Sequence, residues 1–465
     1  MARVLLLVPT AGYRSADFLD AARQLDIEVI VACDREPPMP LRHHPETHEA
    51  SPGTDPHGTE ADAAGRILQI SFDDVDGAVA DILELDATRP LDAVVAVDDQ
   101  GVLVAAAAAE RLGLAGNPLQ AVAASRDKGL MRQLLHASEV RQPMFAVIPA
   151  TSTSEQAEQL AEVVGYPCIV KPAGLSGSQG VIRADTPEQL RTAFERTRHI
   201  ADRAGHGTDA LLVEQFIPGP EVALEGLLHA GELETLALFD KPDPLNGPFF
   251  EETIYVTPSR ISPADQRAAK AAIQSATRAM GLANGPVHAE VRVSGGRAHV
   301  IEVASRTIGG LCSRTLSFTS IAATSPARGG SASLEQLVLA EALDRRRTPA
   351  GSSRSMSGPR SLPGSLPRLG GSAGVLMIPI PRAGRLVAIE GCPEALAIPG
   401  VVDIQVTVPL GHAVAPPPEG DRYLGFVFAQ GLDPAQVEAA LRRALSVLSV
   451  RIGAGPGAGP GAGAR

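Results

Sequence analysis

No tryptophan occurs in this 465-residue chain, and aromatic side chains make up only 3% of it. The core must therefore be assembled from the abundant Ala, Val, Leu and Gly, as in α/β proteins. Cysteine is equally scarce. Cys33, Cys168, Cys312 and Cys392 stand far apart with no CxxC pair, which offers no zinc site and fits a reducing, cytoplasmic setting. Basic charge is in deficit. A formal net charge of −12 speaks against nucleic-acid and membrane-surface partners, so an anionic ligand must be held by a local basic cluster. No stretch is apolar for long enough to span a membrane, and the first apolar run has neither the flank nor the cleavage site of a signal peptide. The first turn, PTAGYRS, is without GxGxxG, which disfavours a dinucleotide site. His43, His44 and His48 lie in a Pro-rich stretch and read as a solvated loop.

What is present falls into about three domains on a length basis. Strands at 4–8, 27–33, 67–71 and 92–97 alternate with helices at 16–25, 74–85 and 100–112, the pattern of a parallel α/β domain over residues 1–118. Asp98, Asp99 and Gln100 follow a strand's carboxyl end, where such sheets bind ligands; they equally suit a helix cap. A helix is expected over 125–137, with Ser125 or Asp127 as its cap. Lys128 then sits in the first turn, against the helix dipole but where anions are favoured. The strand YPCIVKP ends at Lys171-Pro172, and the loop GLSGSQG (174–180) follows. Its short residues let backbone N–H groups approach phosphate oxygens, although most Gly/Ser loops are plain turns. Residues 321–374 read as a Ser/Gly/Pro/Arg-rich linker, 375–452 as a compact α+β module, and 453–465 as a low-complexity disordered tail.

The densest chemical signal is VHAEVRVSGGRAHVIEVASRTIGG, with Glu290 and Glu302 on two adjacent strands near 287–294 and 298–304. Facing carboxylates repel unless a cation neutralises them, and hard oxygen ligands beside Arg306 suit Mg²⁺ holding nucleotide phosphates. Parity makes this testable. A two-residue loop at Gly295-Gly296 puts the two acids on opposite faces of the sheet, whereas a three-residue loop or a bulge sets them directly opposite each other.

In this order, Lys128, Lys171, the Gly/Ser loop, Glu290/Glu302 and Arg306 resemble the ATP-grasp superfamily, and within it the carboxylate–amine ligases that join L-amino acids. The resemblance covers most of the chain and implies an ATP-grasp domain over about residues 119–320 between the parallel pre-domain and the C-terminal module. It implies that Lys128 and Lys171 hold ATP phosphates under Ser176, Gly177, Ser178 and Gly180. Glu214, Gln215, Phe216 and Ile217 would then meet the adenine, and Glu221 the ribose. Glu290 and Glu302 would bind Mg²⁺ (or Mn²⁺), with Arg306 on the transferring phosphoryl group. Gly309-Gly310 is a candidate oxyanion or carboxylate site and equally a simple turn. Arg314 is a candidate for a substrate carboxylate, a phosphate or a surface pair. The stretch 239–258 offers Lys241, Phe249, Phe250 and Glu251 as walls of an acceptor pocket. One departure stands out: Ala304 occupies the place where many relatives have a metal-ligating Asn. The implied reaction activates a carboxylate as an acyl phosphate, which an amine then attacks. The implied partners are small carboxylates and amines, amino acids foremost, and a homodimer is compatible. Purine-pathway or carboxylating chemistry and a catalytically silent ATP-binding module are the alternatives.

Overall fold

The structure is a computed structural model that describes residues 1–9, 12, 14–35, 67–319, 331–344 and 371–454. The histidine cluster at 43–48, most of the expected linker and nearly all of the tail lie outside the described residues.

The chain opens with β1 (Arg3–Leu7), α1 (Ser15–Gln24), β2 (Glu28–Cys33), β3 (Ile67–Gln69), α2 (Val75–Thr88), β4 (Ala93–Ala96) and α3 (Val102–Leu112). The four strands form a parallel sheet in the order β3-β2-β1-β4. Every residue of β1 is buried, the expected result for a strand covered on both faces. Past β4 the Asp98 carboxylate accepts the Asp99 amide at 2.6 Å and caps the 3-10 turn that leads into α3. Next come α4 (Leu119–Arg126) and α5 (Lys128–Ala137). The expected helix over 125–137 is thus two: Ser125 and Arg126 end α4. Asp127 breaks the helix by turning its carboxylate onto the amides of Gly129 and Leu130, at 2.7 and 3.1 Å.

Two antiparallel sheets follow. The smaller contains β5 (Phe145–Ile148), β6 (Cys168–Pro172), β7 (Ile182–Ala184) and β8 (Leu211–Gln215), in the order β5-β8-β6-β7. It packs on α6 (Ser154–Val164) and α7 (Pro187–Arg203) through Ala157, Ala161, Leu190 and Phe194. The larger begins with β9 (Glu221–His229), β10 (Glu232–Asp240) and β11 (Ile254–Thr257). After α8 (Pro263–Met280) it continues with the hairpin β12 (Gly285–Ser294) and β13 (Arg297–Ala304).

One expectation needs correction here. Within the expected linker, residues 331–344 are ordered: β15 (Ser331–Ala332) pairs with β14 (Phe318–Thr319), and α9 (Leu334–Asp344) follows. Leu334, Leu337 and Val338 of α9 bury themselves in one cluster with Phe18, Ala21 and Ala22 of α1. A short Leu-rich helix was diluted by the Ser, Gly and Pro on either side of it. The C-terminal module shares its main sheet with the strands before it. It contains β16 (Ser372–Met377), β17 (Gly384–Glu390), α10 (Cys392–Leu396), β18 (Val401–Val406), β19 (Ala413–Val414), β20 (Gly425–Gly431), α11 (Pro434–Val447) and β21 (Ser449–Gly453). Because β16 pairs with β11, one eight-stranded sheet runs β13-β12-β9-β10-β11-β16-β20-β18. No helix among the described residues is long and apolar enough to cross a membrane.

Candidate active site

The hairpin resolves the parity question by a bulge. Ser294 pairs with Arg297 across the two-residue loop Gly295-Gly296, whose φ angles of 57° and 72° are those of a type I′ turn. That register holds as far as Val291↔Val300, then slips by one residue, so that Glu290 lies opposite Glu302. A buried arginine holds the slip in place. Arg132 of α5, 0% exposed, donates to the carbonyls of Val300 (3.1 Å) and Ile301 (2.7 Å) at the bulge. The same guanidinium takes Glu214 of β8 with Nε at 2.7 Å and Nη2 at 3.2 Å. Lys171 completes that group, its Nζ 2.7 Å from Glu214. Burial works against the charge on Glu214, but Arg132 and Lys171 hold its pKa down at about 2. Burial also pulls the Lys171 ammonium below its ordinary pKa, with Glu214 pulling the other way. Arg132→Met keeps much of the volume but frees two carbonyls and leaves Glu214 with Lys171 alone. The expected loss is about 3–5 kcal/mol of unfolding free energy, read from denaturant titration, by analogy with breaking other buried pairs. A change within about 0.5 kcal/mol, the scale of an inert surface substitution, contradicts this.

Alternation along β9 and β12 builds the next layer. Glu221 and Glu225 share a face of β9, and His288, Glu290 and Arg292 share a face of β12. The register sets His288 against Glu225 and Arg292 against Glu221. Arg292 Nε holds Glu221 at 2.7 Å, and its Nη1 donates to the Ile217 carbonyl at 2.9 Å. His288 lies 3.2 Å from Glu225 and 3.8 Å from Glu290. Burial disfavours the imidazolium, yet Glu225 and Glu290 raise the His288 pKa to about 9.

Glu221, Glu252 and Glu290 bring carboxylate oxygens within 4.8 Å of one another, a group that could seat a cation. A lysine fills it. Lys241 Nζ lies 2.8 Å from Glu221, 2.7 Å from Glu252 and 2.5 Å from Glu290. Burial opposes the ammonium, but the three carboxylates raise its pKa well above the ordinary value. Glu302 is served by a different lysine, Lys128, at 3.4 Å. Burial again opposes its charge, while Lys128, Lys171 and Arg306 lower its pKa.

Two cavities meet at these acids. The narrower, about 90 Å³, is lined by Lys128, Lys171, Glu214, Gln215, Phe216, Ile217 and Glu221, and so gathers residues dispersed over nearly a hundred positions. Glu214 and Glu221 are buried ion-pair members, in contrast to the solvated strand ends their sequence context also allowed. The loop 174–180 lies between the cavities: Ser176 and Ser178 line both, Gly177 the wider one. Gly177, Ser178 and Gly180 all take positive φ, a conformation natural only to the glycines. Lys128 Nζ donates to the Leu175 carbonyl at 2.6 Å at the loop's start.

The wider cavity, about 1210 Å³, shares Glu252, Glu290 and Glu302 with the narrower one and adds Arg306, Asp99, Arg126 and Gly309-Gly310. Arg306 Nε is ion-paired with Asp99 at 2.8 Å, and Arg126 lies 3.4 Å from the same carboxylate. Burial opposes ionisation of Asp99, but Arg306 and Arg126 hold its pKa far below the ordinary range. Asp99 thus orients Arg306, while Asp98 serves the turn. Gly310 has φ +61°, and a Cβ there would lie 2.7 Å from the Phe426 ring, so this position is closed to other residues. Arg314 is not on the cavity wall; it pairs with Asp17 of α1 at 2.8 Å. Cys312 lines the wall, and burial pushes its thiol pKa up, which makes it packing and not a nucleophile.

In the stretch 239–258 the acid at the site is Glu252, not Glu251. Phe250 and Glu252 both line the narrower cavity, two residues apart, whereas Glu251 lines neither cavity. Period-two reading of Phe250, Glu252 and the strand from Ile254 was the signal that could have found it. The same alternation in VHAEVR exposes His288 and Arg292. Alternation from Glu221 likewise reaches Glu225, whereas Arg132 gave no local signal, since an Arg on an amphipathic helix normally faces water.

The chain matches the ATP-grasp domain family over residues 164–315, the ATP-grasp N-terminal domain over 19–116 and the L-amino acid ligase C-terminal domain 2 over 376–453. It is 26% identical over 249 residues to alanine–anticapsin ligase of Bacillus subtilis, covering 50% of this chain and 52% of that one. The chain therefore spans about half the length of these curated relatives. The structure of an L-amino acid ligase from Bacillus licheniformis superposes with TM-score 0.72 at 24% identity, covering 97% of this chain and 99% of that one. Phosphoribosylglycinamide synthetase from Anaerococcus prevotii superposes with TM-score 0.62 at 15% identity, covering 97% and 100%. Three consecutive family matches and a shared fold agree: the chain belongs to the ATP-grasp family and carries over residues 376–453 a domain of the L-amino acid ligase C-terminal type.

Proposed function

We propose that this protein is an ATP-dependent carboxylate–amine ligase that joins amino acids, or an amino acid and a related acid, through an acyl phosphate. The observation that carries the reading is the meeting of the two cavities at Glu290 and Glu302, with Lys128 and Lys171 on one side and Arg306 on the other. The narrower cavity takes the nucleoside end of ATP, the phosphates pass beneath loop 174–180 toward the acids, and the wider cavity takes the carboxylate and amine. The C-terminal domain type and the amino acid ligases among the relatives support amino acids over purine-pathway or carboxylating substrates.

Glu290 and Glu302 fit Mg²⁺ (or Mn²⁺). Each is a hard oxygen donor, and each already faces a lysine ammonium, the kind of charge a divalent cation replaces. When bound, the ion supplies neutralising charge to the phosphate oxygens. The chain's own groups do the rest. Lys128 and Lys171 hold phosphate oxygens, so that the substrate carboxylate meets the γ-phosphorus in line. Carboxylate oxygen bonds to phosphorus as the bond to ADP breaks. Arg306, aimed by Asp99, offsets the negative charge that builds on the transferring group and later on the oxyanion of the tetrahedral intermediate. The amine then bonds to the acyl carbon, loses a proton and expels phosphate. Loop 174–180 keeps water from the acyl phosphate.

Phosphate release from ATP, screened over pairs of amino acids with mass spectrometry of the products, tests this. The expected result is release confined to particular pairs, with one amide formed per phosphate. Tight ATP binding without turnover for any pair overturns it in favour of the silent module that Ala304 raises. Release dependent on bicarbonate overturns it in favour of a carboxylating enzyme.

A further inference from the structure

The loop above the nucleotide cavity is fastened at its far end by the C-terminal module. Gly180 N–H donates to the Pro418 carbonyl at 2.9 Å, and the Gln179 side-chain amide to the Glu419 carbonyl at 3.3 Å. The Glu419 carboxylate receives Arg196 of α7 on both oxygens, at 2.7 and 2.9 Å. Arg196 itself lies over the Phe249 ring at 4.8 Å, and its neighbour Thr197 donates to the Gly180 carbonyl at 2.9 Å. Two segments distant in sequence, 418–419 and α7, therefore meet at the loop's last residues. The fastening segment continues along the wider cavity through Glu419, Gly420 and Tyr423, and the Tyr423 hydroxyl donates to Glu252 at 3.2 Å. It touches the loop at one end and the carboxylate–lysine group at the other.

We propose that Pro416–Gly420 is the latch of loop 174–180, with Glu419 and Arg196 as positioning residues that keep water from the acyl phosphate until the amine arrives. The proposal rests on the ligase reading for its chemistry. Between the two half-reactions water competes with amine: its oxygen bonds to the acyl carbon, the bond to the phosphate oxygen breaks, and carboxylate, phosphate and a proton result. A loop with Gly177, Ser178 and Gly180 at positive φ gains little from its own backbone conformation, so its closed position depends on outside contacts. The Arg196–Glu419 pair is 41% and 32% exposed at its side chains, which makes it a modest fastening that can open for product release.

The test compares wild type with Arg196→Ala, Glu419→Ala and the double variant. The phosphate-to-amide ratio is measured with the pair that turns over, and amide exchange of the 174–181 segment is measured without nucleotide. Each single variant is expected to raise the ratio and the exchange rate about two- to fivefold, the shift that a partly exposed pair commands. The double variant should match the singles, because both remove one interaction. An unchanged ratio with unchanged exchange overturns the latch, and so does slower amide formation at an unchanged ratio, which marks a merely structural role. If wild type forms no amide, the ligase reading fails and the exchange measurement alone still decides whether the loop is fastened here.

Discussion

Glu302→Gln is expected to lower kcat by about 10²–10³-fold, the scale on which loss of one charge-stabilising group acts, and to leave the unfolding midpoint nearly unchanged. The substitution keeps shape and removes one negative charge. Its stability cost is small because the Glu302 partner, Lys128, stands 3.4 Å away and the carboxylate is 26% exposed. Its catalytic cost is large because Glu302 is placed opposite Glu290 by the bulge and faces both cavities. A neutral amide there is a weaker ligand for a hard divalent ion. Steady-state rates across Mg²⁺ concentrations, beside a denaturant titration, give the answer. Full activity at ordinary Mg²⁺ removes the metal assignment.

Arg306→Ala is expected to cost about 10³-fold in kcat while the affinity for ATP changes little, as with other arginines that act on a transferring phosphoryl group. The expectation follows from where the guanidinium lies. It belongs to the wider cavity and does not line the narrower one. Its ion pair with Asp99, just past β4, fixes it from the N-terminal parallel sheet. Charge that acts on the transition state appears in kcat and not in ground-state binding. Because the substitution leaves half-buried Asp99 with Arg126 as its remaining ion-pair partner, Arg306→Lys serves as the companion variant: it keeps the charge and loses the planar fork. Partial recovery by lysine supports the role. Weakened ATP binding with kcat intact contradicts it.

Much of this architecture was legible in the chain because its signals are local. Alternating apolar strands and helices declare the parallel sheet, and Lys171, the Gly/Ser loop, the facing acids and Arg306 each sit beside an element that periodicity identifies. Parity took the reading as far as a condition: odd loop or bulge. Which of the two holds depends on Arg132, whose contacts to the bulge carbonyls join residues 168 and 169 positions apart. Nothing within one hairpin contains that information. The same limit separates Glu252 from Glu251, one residue apart in a proline-rich stretch, where only pairing with neighbouring strands fixes which side faces inward. Helix α9 was hidden for another reason, since composition averaged over 54 positions outweighs eleven helical ones. Lys241 was noticed, but as a wall. Its position among three acids emerges only when β9, β10 and β12 lie side by side.

The β11–β16 pairing has a practical corollary for anyone wishing to recombine such enzymes. Ile254, Tyr255, Val256 and Thr257 are all buried, and their neighbours in the ladder are Leu376, Val375, Gly374 and Ala373. Cutting the gene between these strands leaves a naked apolar ribbon with unpaired amides, an invitation to intermolecular stacking. Chimaeras should exchange the whole ribbon from β9 to β20, or none of it.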